Sequence, residues 1–343
     1  MSGPQSGVAP RALFAMSAAT LPHAFPTHVM DQLRHIANID PGLVAEDFHR
    51  PQVREALAQT EILITGWGCP PVDASALAAA PRLRGILHAA GSVKSLMTEA
   101  CWEREIWVSS AAEVNALPVA EYTLGMILLT GKGLLTQVDP YRASRRSETG
   151  GIVEGIGNHG RRVGVIGASR IGRRVIELLR PFDFEVSVAD PYLDAAEAAA
   201  LGVERRELLG PQGLFATSDV ITVHAPAVPE TWHLVGREEL ALMPDRAVLI
   251  NTARGSLVNT EALIEEARSG RIAAVLDVTD PEPLPADSAL LNLPNVYLTP
   301  HIAGSQGNEI ARMGLVAVEE LKRLRAGVPL LHTVDRARLE RAA

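Results

Sequence analysis

Short apolar runs alternate with amphipathic stretches along almost the whole chain, and this alternation constrains the fold more than any other feature. Before residue 111 the runs are Ala12–Met16, Glu61–Thr65, Gly85–Ala89 and Ile106–Ser109. After residue 160 they are Arg162–Ile166, Glu185–Ala189, Val220–Val223, Ala247–Ile250, Ile272–Leu276 and Val296–Leu298. Brief, near-continuous apolar runs read as buried strands. The stretches Pro26–Ile36, Arg50–Ala58, Asp73–Ala79, Leu96–Glu105, Arg170–Leu179 and Asn259–Ser269 read as helices between them. Strands alternating with helices make parallel sheets with helices on their faces, so the expected class is α/β.

At about 150 residues per domain, the 343-residue chain has room for two. Residues 116–135 (ALPVAEYTLGMILLTGKGLL) read as one long apolar helix, suited to a domain junction or a subunit contact. Pro118 is expected in its first turn, where a missing N–H costs nothing. Residues 140–160 are polar and Gly-rich and read as loop. The six later strand candidates match a doubly wound dinucleotide-binding sheet. The last helix candidate, about Gln306–Ala326, returns beyond the sixth strand. The first domain is therefore expected to be discontinuous, residues 1–115 with 303–343, around a second domain of residues 116–302.

Composition narrows the function. The net charge of -8, from 32 Lys+Arg against 40 Asp+Glu, argues against broad capture of nucleic acid. Cys69 and Cys101 are too few for a disulfide framework and lack metal-ligand spacing. No HExxH or similar histidine pairing is present, so no metal is expected. Two reduced thiols suit a cytoplasmic protein. The stretch ALFAMSAATL after Arg11 superficially resembles a secretory signal, but it is short and reads as a first strand behind a disordered tail, MSGPQSGVAP. The most apolar segment, residues 116–131, carries Glu121 and falls short of the roughly 18 clean apolar residues of a membrane span.

The segment VGVIGASRIGRRV, residues 163–175, follows a strand and opens a helix, which is where a phosphate-binding turn belongs. Gly167 permits a tight turn, and Gly172 permits close helix–strand packing. Ser169, Arg170 and Ile171 then lie where a helix N-terminus offers N–H groups and a positive dipole end to a pyrophosphate. Ser169 stands where the usual GxGxxG has its middle glycine. Asp190 ends the next strand, near the offset of roughly 20 residues expected for an acid on the ribose hydroxyls. A carboxylate there repels a 2′-phosphate, and no Arg follows within DPYLD, which favours NAD over NADP.

Three later strand candidates each stop at polar residues: AVLI into NTARG, AAVL into DVTDPEP, and VYL into TPHIAGS. These stops deliver Arg254, Glu282 and His301. If the strands are parallel neighbours, the three side chains gather at the carboxyl edge of one sheet, where ligands of open α/β sheets bind. An arginine can hold an oxo-acid and a histidine can move a proton. Each residue alone is as readily structural.

With these segments in order, and with NALPVAEYTL and VHAPAVPETWHL, the chain resembles the D-isomer-specific 2-hydroxyacid dehydrogenase family from about residue 60 to 325. The resemblance implies a discontinuous flavodoxin-like substrate domain and a Rossmann domain binding NAD, in a homodimeric enzyme. It implies hydride exchange between NAD(H) and a 2-oxo or D-2-hydroxy acid. It assigns Arg254 to the substrate, Glu282 to the carboxylate beside the acid/base, and His301 to the acid/base. Asp277 falls on the position contacting the nicotinamide amide, while Pro226, Thr231, Thr252, Ala253 and Gly304 fall on cofactor-lining positions. Gly91 and Ser92 would present backbone N–H groups to a substrate carboxylate, although the loop reads AAGSVKS where the family usually has AGVGVDN. Two other outcomes stay open: an NAD(H)-sensing protein of the corepressor branch, and a formate- or phosphonate-type dehydrogenase.

Overall fold

A computed structural model of the chain describes residues 9–145 and 152–339. It divides into two units, Met1–Ala116 with Ser305–Glu340, and Leu117–Gly304 with Arg341–Ala343. The expected N-terminal tail falls mostly on residues 1–8, outside the described residues.

The first unit holds four parallel strands, β1 (Ala12–Ala15), β2 (Ile62–Thr65), β3 (Gly85–His88) and β4 (Trp107–Ser110), in the order β1-β2-β3-β4. Nearly every residue of these strands is buried, which is why they read as continuous apolar runs. Beyond β1 the chain at residues 38–44 adds parallel bridges, Arg11 to Asn38 and Phe14 to Val44. This extra segment is second in the chain and first in space, so the order becomes 2-1-3-4-5, that of flavodoxin. The segment is too irregular and polar (NIDPGLV) to show as a strand in the sequence. The long helix Ile310–Ala326 returns to this unit and packs Met313, Ala317 and Leu321 into its core. Cys69 lies in the same unit, and burial, with Cys101 nearby, pushes its thiol up to about 12. It is therefore a packed thiol and not a reactive thiolate.

The second unit has seven parallel strands: β5 (Arg161–Ile166), β6 (Phe184–Ala189), β7 (Glu204–Arg205), β8 (Val220–Val223), β9 (Val248–Asn251), β10 (Ala273–Leu276) and β11 (Val296–Leu298). Their spatial order is β11-β10-β9-β8-β5-β6-β7. Counted from β5 this is 3-2-1-4-5-6 with one strand added, the Rossmann arrangement, and its direction reverses between β5 and β8. Strand β7 is the one the apolar pattern misses, because it has two exposed residues at the sheet edge.

Two expectations about the long helix are corrected. It spans Ala112–Gly131, so Pro118 is its seventh residue and lies inside it, not in the first turn. Pro118 thus withholds the N–H that would bond four residues back, at the point where the chain passes from one unit to the other. The expected loop at 140–160 begins instead as a second helix, Leu134–Ser144, after Gly133 turns left-handed at φ 65. Its mostly exposed faces and Pro140 hide the helical period.

Each unit buries one histidine. His88 ends β3 with Nδ1 2.8 Å from Thr65 Oγ1, and burial, partly offset by a bond to the Ser92 backbone, lowers its pKa to about 4. His224 follows β8 with Nε2 2.9 Å from Thr222 Oγ1, and burial lowers its pKa to about 3. Both stay neutral in the folded protein where histidines of the unfolded chain, near 6.5, take up protons. The unfolded chain then binds more protons, so stability falls as pH drops below about 6.5 and keeps falling towards the folded values. Urea midpoints are expected to fall from pH 7.5 to pH 5, and less steeply in His224→Asn; an equal slope in the variant would contradict this account of His224.

Candidate active site

The turn after β5 is built for close backbone approach. Gly167 has φ +92, and a Cβ on it would meet Ala225 N at 2.8 Å and His224 C at 2.9 Å. A Cβ on Gly172 would lie 2.0 Å from Gly167 O. Both glycines are therefore required by the geometry. Ser169 is not a strained substitute: its φ is -63, and its side chain caps the helix Arg170–Leu179 by accepting from Gly172 N at 3.3 Å. The first-turn amides at Arg170 and Ile171 face the same end of the helix. Asp190 closes the turn from β6, accepting Ala168 N at 2.7 Å and Tyr192 N at 2.8 Å. Each carboxylate oxygen accepts one N–H here and has capacity for another. A tight turn at the sheet's switch point, a capped helix start and a strand-end acid together fit a dinucleotide.

On the β8 side, Thr231 Oγ1 donates within its own turn, to Pro226 O at 2.5 Å. This hydrogen bond shapes the loop that carries the expected cofactor-lining residues.

The register puts the later strand ends side by side. Asn251 of β9 is level with Leu276 of β10, which is level with Leu298 of β11. Fully buried Asn251 brackets the turn beyond β9, accepting Ala253 N at 3.0 Å and donating to Arg254 O at 2.8 Å. The turn leaves the Arg254 side chain exposed and hides Thr252 against the helix, 3.2 Å from Thr123 Oγ1. Gly255 then lies so close to the next loop that a Cβ would be 2.0 Å from Thr279 C and O. The Arg254 loop thus rests backbone to backbone on the segment leading to Glu282.

Glu282 Oε1 and His301 Nδ1 are 2.8 Å apart, with both side chains about half exposed. The ionised carboxylate only accepts, so the proton of this bond belongs to Nδ1, and Nε2 is turned to other partners. His301 adopts φ 55, a left-handed conformation rarely held by a residue with a side chain. Its N–H reaches Asp277 O and Thr299 O, each at 3.0 Å. The Asp277 side chain, 1% exposed, accepts Ile302 N and Ala303 N at 2.8 Å, and the Thr299 hydroxyl at 2.6 Å. Gly304 closes the unit just beyond.

Arg254, Glu282, His301 and Asp277 are thereby gathered on adjacent loops of the second unit. Gly91 and Ser92 belong to the first unit, at the carboxyl end of β3, where Ser92 Oγ accepts Lys94 N at 3.4 Å.

Comparison with known proteins gives the family. The family described as D-isomer specific 2-hydroxyacid dehydrogenase, NAD binding domain, matches residues 124–303. The chain belongs to that family. A glyoxylate reductase of Aeropyrum pernix is 33% identical over 256 residues, covering 73% of this chain and 76% of the relative. A D-3-phosphoglycerate dehydrogenase of Methanocaldococcus jannaschii is 30% identical over 298 residues, covering 87% of this chain and 56% of the relative. The chain spans about half the length of the phosphoglycerate dehydrogenases it matches. Among solved structures, a phosphoglycerate oxidoreductase of Rhizobium etli has a TM-score of 0.79 at 25% identity, covering 96% of this chain and 99% of that one. A 2-hydroxyacid dehydrogenase of Ketogulonicigenium vulgare has a TM-score of 0.77 at 26% identity, covering 96% and 99%. The cofactor of the family domain is NAD.

Sequence reading passed over Asn251, Thr299 and Tyr122, whose hydroxyl lies 2.7 Å from Thr299 Oγ1. The signal for Asn251 and Thr299 was present, since both are the first polar residues after apolar runs. Tyr122 gives none, being one aromatic residue on an apolar helix. Among the described residues no helix is long and apolar enough to cross a membrane.

Proposed function

We propose that this chain is an NAD-dependent 2-oxoacid reductase, or D-2-hydroxyacid dehydrogenase in reverse. The observation that carries the reading is the His301–Glu282 pair, 2.8 Å apart, which joins the loop beyond β11 to the loop beyond β10, the neighbour of the Arg254 loop. Bound NADH supplies a hydride to the C2 carbonyl of the acid. The Arg254 guanidinium holds the substrate carboxylate by charge-assisted hydrogen bonds and draws density from the carbonyl. Glu282 accepts from Nδ1 and orients the ring, so that Nε2 gives its proton to the alkoxide oxygen forming at C2. In oxidation the same nitrogen takes the hydroxyl proton. Gly167, Ser169, Gly172 and the amides opening the helix hold the pyrophosphate, and Asp190 holds the ribose hydroxyls.

The test is oxidation of NADH and of NADPH, side by side, with 2-oxo acids of graded size and charge. At least one acid is expected to be reduced. NADH should be preferred by tenfold or more, because the Asp190 carboxylate repels a 2′-phosphate. Failure of every acid would overturn the reading.

A further inference from the structure

We propose that Tyr122 and Thr299 are positioning residues for His301, joined to it by a one-way chain of hydroxyl hydrogen bonds that ends on Asp277. The proposal rests on the reading of His301 as the acid/base. Its direction follows from proton count. The Thr299 hydroxyl has one proton, and it goes to Asp277 Oδ1 at 2.6 Å. The 2.7 Å contact between Thr299 Oγ1 and Tyr122 must then be a donation from the phenol. Burial raises the Tyr122 pKa, so the phenol keeps the proton it donates.

The chain matters because of what Asp277 holds. Its two oxygens accept the N–H groups of Ile302 and Ala303, the residues directly after His301. The His301 N–H is shared between the carbonyls of Asp277 and Thr299. A left-handed histidine persists only where its surroundings over-determine it. Here seven hydrogen bonds on residues 299–303, besides that to Glu282, do so, and four of them involve the Thr299 side chain or its backbone. Without the phenol, Thr299 Oγ1 loses the donor that fixes its rotation. Without the threonine hydroxyl, Asp277 Oδ1 is held by Ile302 alone. Either change lets the loop carrying the imidazole shift while Glu282 and the dinucleotide turn stay as they are. Tyr122 lies on the helix Ala112–Gly131, so the chain ties the acid to a rigid element.

The experiment compares Tyr122→Phe, Thr299→Val, Thr299→Ser and the Phe/Val double variant with the wild type. Tyr122→Phe is expected to lower kcat about fivefold, the effect of one ordinary hydrogen bond. Thr299→Val should lower it about tenfold or more, and the double variant no further, because members of one network do not add. Thr299→Ser restores the hydroxyl and should recover kcat to within about twofold. KM for the oxo acid and Kd for NADH should stay within about twofold throughout.

Amide exchange at Ile302 and Ala303, read without any substrate, should quicken in Tyr122→Phe and Thr299→Val and not in Thr299→Ser. Unchanged kcat in Tyr122→Phe, or a loss that appears only in KM or NADH binding, overturns the proposal. So does unchanged exchange. If exchange responds as expected but the wild type reduces no 2-oxo acid, the functional reading falls and the hold of the chain on the His301 loop stands.

Discussion

His301→Asn is expected to bind NADH within about twofold of the wild type and to lose turnover by about 10²–10⁴-fold, the usual contribution of a positioned acid or base. Asparagine is the appropriate replacement. It tolerates left-handed backbone better than other residues with side chains, and His301 has φ 55. The loop therefore keeps its hydrogen bonds to Asp277, and only the proton donor is lost. His301→Ala should lose as much. Stopped-flow binding of NADH and steady-state turnover separate the two effects. Turnover within tenfold of the wild type in both variants would remove His301 from the acid role.

Arg254→Gln is expected to cost kcat/KM about 2–5 kcal/mol, between about thirty-fold and several-thousand-fold, the range for removing one partner of a desolvated charge pair. Arg254→Lys should recover little of it, since a lysine ammonium cannot reproduce the planar fork that binds a carboxylate. The Arg254 side chain contributes little to folding, because it is exposed and its guanidinium bonds to the neighbouring Ala253 carbonyl at 2.6 Å. Thermal midpoints should accordingly stay close to the wild type in both variants. A loss confined to NADH affinity, with normal turnover at saturation, would move Arg254 from the substrate to the cofactor.

Much of the fold is legible because burial on both faces forces parallel strands into apolar runs. Elements that escape this rule escape the reading. Strand β7 is two exposed residues at an edge, and the segment 38–44 pairs with β1 through isolated bridges. First-turn proline is the common case, and only the packed helix, which begins at Ala112, puts Pro118 inside it. The helix Leu134–Ser144 has little buried surface to show a period. Ser169 illustrates the reverse. It stands where the usual motif has its middle glycine, yet at φ -63 it sits without strain and its hydroxyl caps the helix.

The site divides along the same line. Arg254, Glu282 and His301 were legible because each follows a strand end, and the sharp change from apolar to polar marks where a sheet meets solvent. Chain order alone thus determined the α/β class, the strand-ending trio and the glycine turn with its acid. Tertiary structure alone decided which contacts those residues make. The 2.8 Å pairing of His301 with Glu282 bridges loops beyond different strands, and its distance depends on their register. The Tyr122–Thr299–Asp277 chain joins three elements separated by up to 177 residues. Hydrogen bonds of that kind are set by packing in three dimensions, and they leave no period, spacing or composition in the sequence from which to read them.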